Sequence, residues 1–333
     1  MQYKLYIYIY IMKYSKNLYI FIKIICIILL AIALYSISLF YNKRQKIEKY
    51  NSNSNINIVL VLIDNFQEYI LINIKQLIKL GHKNIYVITN QQFFTKFDEY
   101  IDKIKLINCD DLKDSYDYNN KGNLSNRFFI LTSLRIFYLY EFMKQYNIEN
   151  VIHLENDVLI YYNCEIIKDK FTNNMYMPFI SLDMNVLSIV YIPNHTIFKT
   201  ILDNYDFSVT DMLNFKIIME KTHLIKQLPI FINNNKDEYN KDEFNFVTEN
   251  YDTFKFIFDG AAIGQYLGGI DPIHGSSNTV GYVNDTCIIK YNKYEFVFDI
   301  IDNIKRPFII IDNNKIPIFN LHIHCKDLKK FVD

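Results

Sequence analysis

The chain has 333 residues, half of them hydrophobic, which is enough for a sizeable core. Lys plus Arg equals Asp plus Glu, 36 each, so the formal net charge is zero and nothing marks an electrostatic nucleic-acid binder. Ile, Asn, Lys and Tyr dominate, Trp is absent, and the five cysteines have no zinc-type spacing, so no disulfide framework or zinc ribbon is expected. Asn-x-Ser/Thr sequons at Asn123, Asn194 and Asn284 are about what so Asn-rich a chain yields by chance; they permit a lumenal location and do not require one.

Residues 1–17 form a tail. Residues 18–41 contain an uncharged apolar run from Ile24 to Tyr41, long enough to cross a bilayer, which takes roughly 20 residues. The run is long and its leader extended for a cleaved signal peptide, so the reading is an uncleaved single-pass anchor, with Ser36-Ile37-Ser38 as the competing cleavage site. Lys4, Lys13, Lys16 and Lys23 precede it and Lys43, Arg44, Lys46 and Lys49 follow, so flanking charge does not fix its orientation. Residues 42–56 are polar and Asn/Ser-rich, a short stalk.

A globular α/β domain is expected over residues 57–333. Ile58–Ile63 predicts a buried strand, Glu68–Leu80 an amphipathic helix closed by Gly81, and Ile85–Thr89 a second strand, together a βαβ unit with parallel strands. Lys105–Cys109 predicts a third. Asp64, Thr89, Asn90 and Asp110 fall at the carboxyl ends of these strands, where open α/β sheets bind ligands, although ordinary loop polarity explains each equally well. A long helix over Ser125–Tyr146, capped by Asn123 or Ser125, carries Arg127 in its first turn, where a cation opposes the helix dipole unless an anion lies near.

The next strand, Val151–Leu154, runs into Glu155-Asn156-Asp157, the chain's single acid-x-acid pair. Residues i and i+2 of an extended segment point the same way, so these carboxylates converge. They stay ionised together if a cation neutralises them, and carboxylate oxygens suit Mg²⁺ or Mn²⁺; the alternative is a turn with two solvated acids. Phe179–Ile192 predicts extended chain with Asp183 and Asn185 on one face, a candidate acceptor groove. Helical patterns follow at Thr196–Tyr205 and Ser208–Lys221, then a charged loop at Asn233–Asn245.

Six of the eight glycines fall between Gly260 and Gly281. Glycine lets a backbone approach a ligand or another chain closely. Asp259 is expected to cap a short helix there, with Gly260, Ala261, Ala262, Gly264 and Gln265 at a binding site or at a tight helix–sheet contact. Hairpins are expected at Thr286–Tyr291 with Tyr294–Ile300, and at Phe308–Ile311 with Ile316–Phe319. The last strand closes on His322-Ile323-His324-Cys325-Lys326, whose period-2 geometry puts both histidines on one face as a ligand pair, with Lys326 a phosphate contact.

In combination these stretches resemble the metal-dependent glycosyltransferases of the GT-A fold. Glu155-Asn156-Asp157 matches that family's Asp-x-Asp position with Glu for the first Asp, Phe258-Asp259-Gly260 resembles its late acidic catalytic position, and the His322–Lys326 segment resembles its carboxyl-terminal metal and diphosphate segment. The resemblance implies a GT-A-like, Rossmann-type mixed sheet flanked by helices, with a nucleotide-binding half over 57–162 and an acceptor half over 163–333. It implies Mn²⁺ (or Mg²⁺) on Asp157 and His324, with His322 the fallback, and with Glu155 on the metal through water or on the ribose. Lys326 and Arg127 would meet the diphosphate, and Asp259 would be the catalytic acid, with Asp183 and Asp211 as other candidates. It implies a nucleotide-sugar donor, a glycan, protein or lipid acceptor, and, with anchor and stalk, a type II membrane protein with its catalytic domain in a Golgi- or ER-like lumen. A metal hydrolase on His322 and His324, and a non-catalytic glycan-binding protein, are the competing readings.

Overall fold

The computed structural model describes residues 55–118, 127–233, 239–271 and 280–332, together with positions 29, 32, 34 and 35. The chain divides into two compact units, Met1–Ser52 and Asn53–Asp333. In the first, the four described positions are helical and exposed. The span expected at 18–41 otherwise lies outside the described residues, as do the tail and nearly all of the stalk. Among the described residues no helix is long and apolar enough to cross a membrane.

The second unit is a mixed α/β structure. β1 (Asn57–Leu62), α1 (Tyr69–Lys79) and β2 (Ile85–Thr89) form the expected βαβ unit, with β1 and β2 parallel. Both strands are buried along their whole length, which is why they read as continuous apolar runs rather than alternating ones. Gly81 follows α1 at φ +83°, the left-handed position expected of it. β3 (Lys105–Asn108), α2 (Arg127–Tyr146) and β4 (Val151–Leu154) follow. Beyond them come β5 (Val158–Ile160), β6 (Met175–Met177), β7 (Ile189–Ile192) and the helices α3 (His195–Leu202) and α4 (Asp211–Thr222). β8 (Ile225–Gln227) completes a sheet of order β3-β2-β1-β4-β7-β6-β8 in which β7 alone runs against its neighbours.

The rest of the chain builds a second sheet. After α5 (Lys241–Thr248) and α6 (Tyr251–Phe254) come β9 (Ile257–Phe258), α7 (Ile263–Gly268), β10 (Glu295–Ile301), β11 (Ile304–Ile311) and β12 (Asn314–His322). The order is β10-β11-β12-β5, with β9 also on β12. The acid stretch is therefore where the chain leaves one sheet and enters the other: β4 belongs to the first, β5 to the second. β6, β7 and β8 return to the first sheet, so its strands come from both sides of residue 162.

Three expectations are corrected. Residues 286–290 form no strand; β10 pairs instead with β11 across Asp302-Asn303, both at positive φ. Residues 241–248 are helical, with Asn240 capping the Asp242 and Glu243 amides, rather than loop. Asp183 and Asn185 do not share a face, because the chain bends between them: Asp183 is exposed and Asn185 fully buried.

Candidate functional site

The two acids sit in the turn between β4 and β5, and three elements fix that turn. Asn156, between them, donates from Nδ2 to Val61 O at 3.0 Å and Gln67 Oε1 at 3.1 Å, tying it to β1 and the loop after it. From α1, Asn73 Nδ2 donates to Asn156 O at 3.2 Å and Val158 O at 2.9 Å, and Gln76 Nε2 to Ile160 O at 3.2 Å. Asn73 and Gln76 lie on the buried face of α1 among Ile70, Ile74 and Leu77. Polar residues on an apolar helical stripe were the sequence signal that they hold something, and it went unread.

β12 lies antiparallel to β5 with His322 opposite Val158, so its ring stands next to Asp157. His322 Nε2 lies 3.2 Å from Asp157 Oδ2 and 3.4 Å from Glu155 Oε2. Glu155, Asp157 and His322 each offer a ligand atom, all within 4.8 Å of one another. His324, the ligand expected first, is outside this cluster. The strand ends at His322 and the backbone turns, His324 N donating to His322 O and Lys326 N to Ile323 O, so period-2 geometry stops one residue too early. His324 still lines the adjoining cleft, its Nδ1 accepting from Asp271 N at 3.1 Å. The pair His322-x-His324 thus forms no two-histidine ligand set.

Asp259 is also corrected. It is 1% exposed, and its carboxylate accepts four backbone amides: Ala262 N and Ile263 N on Oδ1, Gly264 N and His322 N on Oδ2. A carboxylate so engaged has no face left for an acceptor hydroxyl, and its work is to hold the start of α7 against β12. Gly260 O, next in the chain, lies 2.8 Å from His322 Nδ1, which fixes the ring and turns Nε2 toward the acids. Gly264 permits the close packing: a Cβ there would stand 2.0 Å from His322 O. The tight helix–sheet contact, one of the two readings of the glycine cluster, is what Gly264 makes.

Charge balances within the site. Arg135, in the middle of α2, ion-pairs with Glu155 and stands 3.6 Å from Asp211 Oδ2. Its place inside a long apolar helix was the available signal, but its partners Glu155 and Asp211 lie on other elements, beyond what helical spacing shows. Lys326 ion-pairs with Asp157. Burial would raise the Asp157 carboxyl, but His322 and Lys326 hold it far below the usual range. Burial likewise opposes ionised Glu155, and Arg135 with His322 more than offsets it. Burial alone would lower His322; Asp157 and Glu155 overcome it and bring the ring up to about 9. Asp211 goes the other way, raised chiefly by burial with Arg135 opposing.

Two clefts meet at the cluster. One, of about 220 Å³, is bordered by Gln67, Tyr69, Asn156, Asp157 and Lys326. The other, of about 290 Å³, is bordered by Asp211, Met184, Gln265 and Asn284. Arg135, Glu155, His322 and His324 border both. The remaining candidates lie elsewhere. Asp64 N donates to Asn90 Oδ1 at 3.0 Å and Asn90 Nδ2 to Cys109 Sγ at 3.1 Å, joining the carboxyl ends of β1, β2 and β3. Asp110 is exposed beside them, and Thr89 is fully buried. Arg127 ion-pairs with Asp64, whose carboxylate is an anion near its position in the first described turn of α2, so no bound ligand is needed there; the caps expected at Asn123 and Ser125 lie outside the described residues.

The cluster fits a divalent cation. Neighbouring ligands of an octahedral ion at about 2.1 Å stand about 3 Å apart, close to the 3.2 and 3.4 Å from His322 Nε2 to the two carboxylates. Glu155 Oε2 is buried and makes no hydrogen bond among the described residues. Two carboxylate oxygens and one imidazole nitrogen suit Mn²⁺ or Mg²⁺ better than a thiolate-seeking metal.

No protein-family model and no curated protein matches the chain. It is similar to the solved structure of the galactosyltransferase LgtC in complex with donor and acceptor sugar analogues, at 14% identity, over 52% of this chain and 73% of that one, with a TM-score of 0.39. It is similar to the glycosyltransferase GlyE of Streptococcus pneumoniae TIGR4, at 14% identity over 52% of this chain, with a TM-score of 0.36. A third, the bifunctional glycosyltransferase WbbM, shows 15% identity over 61% of this chain and a TM-score of 0.35. The chain spans 45% of the length of GlyE and 44% of that of WbbM.

Proposed function

We propose that this chain transfers a sugar from a nucleotide-sugar donor to a glycan, protein or lipid acceptor, with Mn²⁺ or Mg²⁺ held by Asp157, Glu155 and His322. One observation carries the reading. Two carboxylates at the carboxyl end of a parallel strand meet a histidine from the last strand, with a buried carboxylate oxygen left without a hydrogen bond. When bound, such an ion acts as a Lewis acid on the departing diphosphate.

The chain's own groups have separate tasks in this scheme. Lys326 donates to diphosphate oxygens, leaving Asp157 as it does so. Arg135 keeps Glu155 ionised and aimed. Asp64, Asn90 and Asp110, at the carboxyl edge of β1–β3, meet the base and ribose, and Arg127 of α2, paired with Asp64, joins Lys326 on the diphosphate. Asp211, rather than Asp259 or Asp183, is the acid for the chemistry. It borders the second cleft with a buried carboxyl, where it either takes the acceptor's proton or faces the positive charge developing on the sugar. The apolar segment at 18–41 anchors the protein as a type II membrane enzyme with its catalytic unit in the lumen.

The test is calorimetric binding of UDP, GDP and CMP to the full chain with and without Mn²⁺. One nucleotide binds only with the metal, and Asp157→Asn weakens that binding at least about tenfold, the effect of losing one charge-assisted contact. Metal-independent binding that ignores the substitution overturns the reading.

A further inference from the structure

The lining of the second cleft mixes charged and apolar side chains, and α2 and α4 supply both kinds, Phe128, Phe129 and Met212 standing beside Arg135 and Asp211. Charged groups come from α2, the acid turn and α4: Arg135, Glu155 and Asp211. The loop between β6 and β7 contributes only apolar groups, Ile180, Met184, Val186 and Leu187, closed on itself by the Ile180 N to Met184 O bond at 2.9 Å. Among these stands one oriented amide. Asn284 Nδ2 donates to Gln265 Oε1 at 3.1 Å and to Ala261 O at 2.9 Å, while Asn284 Oδ1 accepts from Thr286. Gln265, which lines the cleft, is thereby held by its oxygen, so Nε2 is the donor it can offer a ligand.

A plain hexose and its 2-acetamido counterpart differ only at C2, a hydroxyl in one and an acetamido group in the other. With C2 toward the 180–187 loop, the plain hexose would press that hydroxyl against apolar side chains, and an unpaired buried hydroxyl is costly. An acetamido group presents the complementary pair: a methyl for Met184 and Val186 and a carbonyl that accepts from Gln265 Nε2. We propose that the sugar held in this cleft, and transferred, is a 2-acetamido sugar. The assignment rests on the nucleotide-sugar reading above and narrows its substrate class.

The test compares Mn²⁺-dependent cleavage of UDP-GlcNAc and UDP-GalNAc with that of UDP-Glc, UDP-Gal and GDP-Man by the full chain. The better acetamido donor has a kcat/KM at least about tenfold above the best plain hexose, the size of effect a filled apolar subsite gives. In Met184→Asp and in Gln265→Ala that ratio falls toward one, and because it is internal to each variant a general loss of stability does not move it. Equal or better use of a plain hexose, or a ratio both variants leave intact, overturns the acetamido assignment and leaves glycosyl transfer standing. Cleavage of none of these donors, together with no metal-dependent binding of UDP, GDP or CMP, overturns both.

Discussion

His322 is held so that its two nitrogens have different fates. Nδ1 is committed to Gly260 O, and Nε2 faces two carboxylates that keep a proton on it up to about pH 9. A divalent ion needs the same lone pair, so proton and metal compete. The sign follows: below the ring's pKa one proton leaves for each ion bound, and affinity rises with pH. Mn²⁺ titrated calorimetrically at pH 6, 7 and 8 is expected to bind about tenfold more tightly per unit; an affinity flat across that range places the ion elsewhere. Asp259 and Asp211 make a contrasting pair. Asp259→Asn turns a donor toward amides that need an acceptor, and the unfolding free energy measured in urea is expected to fall by about 2–4 kcal/mol. Asp211→Asn is expected to stay within about 1 kcal/mol of the parent and to lose activity by about 10²-fold or more, the scale of removing one transition-state contact. Equal losses of stability in the two would put Asp211 among the structural acids. Of the catalytic residues expected from the sequence, Asp259 failed for a readable reason: an N-cap aspartate and a general base look alike until the amides it serves are counted.

At the level of elements, the packing of α7 on β12 sets the position of His322. The helix comes so near the strand that residue 264 has no room for a methyl, since it would meet backbone rather than a flexible side chain. Gly264→Ala is expected to push α7 and β12 apart, at about 1–3 kcal/mol or more of stability, and to weaken Mn²⁺ binding because the His322 amide leaves Asp259. Gly281→Ala is the control: its φ of +89° makes a side chain strained, but nothing lies within 4 Å. It should cost about 1–2 kcal/mol of stability and leave the metal affinity alone. The elements legible in the sequence were those with an unambiguous period or stop: the buried runs of β1 and β2, the 3.6-residue stripe of α1 with Gly81 after it, the Asp312-Asn313 turn joining β11 to β12. Those misread lacked one. Residues 286–290 have strand-like composition but make a single backbone bond to a distant segment, Ile288 N to Ile180 O, too little for a ladder, and α5 hid in a charged stretch whose buried apolar positions, Phe244 and Val247, are only one turn apart.

For the second unit as a whole, the decisive feature is that the candidate site joins its two sheets. Asp157 lies where the chain crosses from β4 to β5, and β12 brings His322 to it from 165 positions later in the numbering. The sequence announced the acids, because an acid-x-acid pair inside apolar strands is conspicuous at short range. It was silent on which histidine would meet them, since that depends on the β5–β12 register and on where β12 stops. It was silent too on Arg135 and Asn73, whose partners lie across the fold. A ligand set drawn from both sheets couples binding to the stability of the whole unit. A ligand that binds only the folded state, at about 100 times its Kd, adds about 2.7 kcal/mol. For a domain of this size that is a rise in Tm of roughly 5–10 °C. Mn²⁺ and a nucleoside diphosphate together are expected to raise the Tm by more than the sum of their separate effects, because Lys326 must leave Asp157 for the diphosphate before the ion has that carboxylate to itself. In Lys326→Met the ion alone should stabilise more than in the parent and the nucleotide less. Strictly additive shifts in the parent, unchanged by the substitution, would mean that the ion and the diphosphate do not share Asp157 and Lys326.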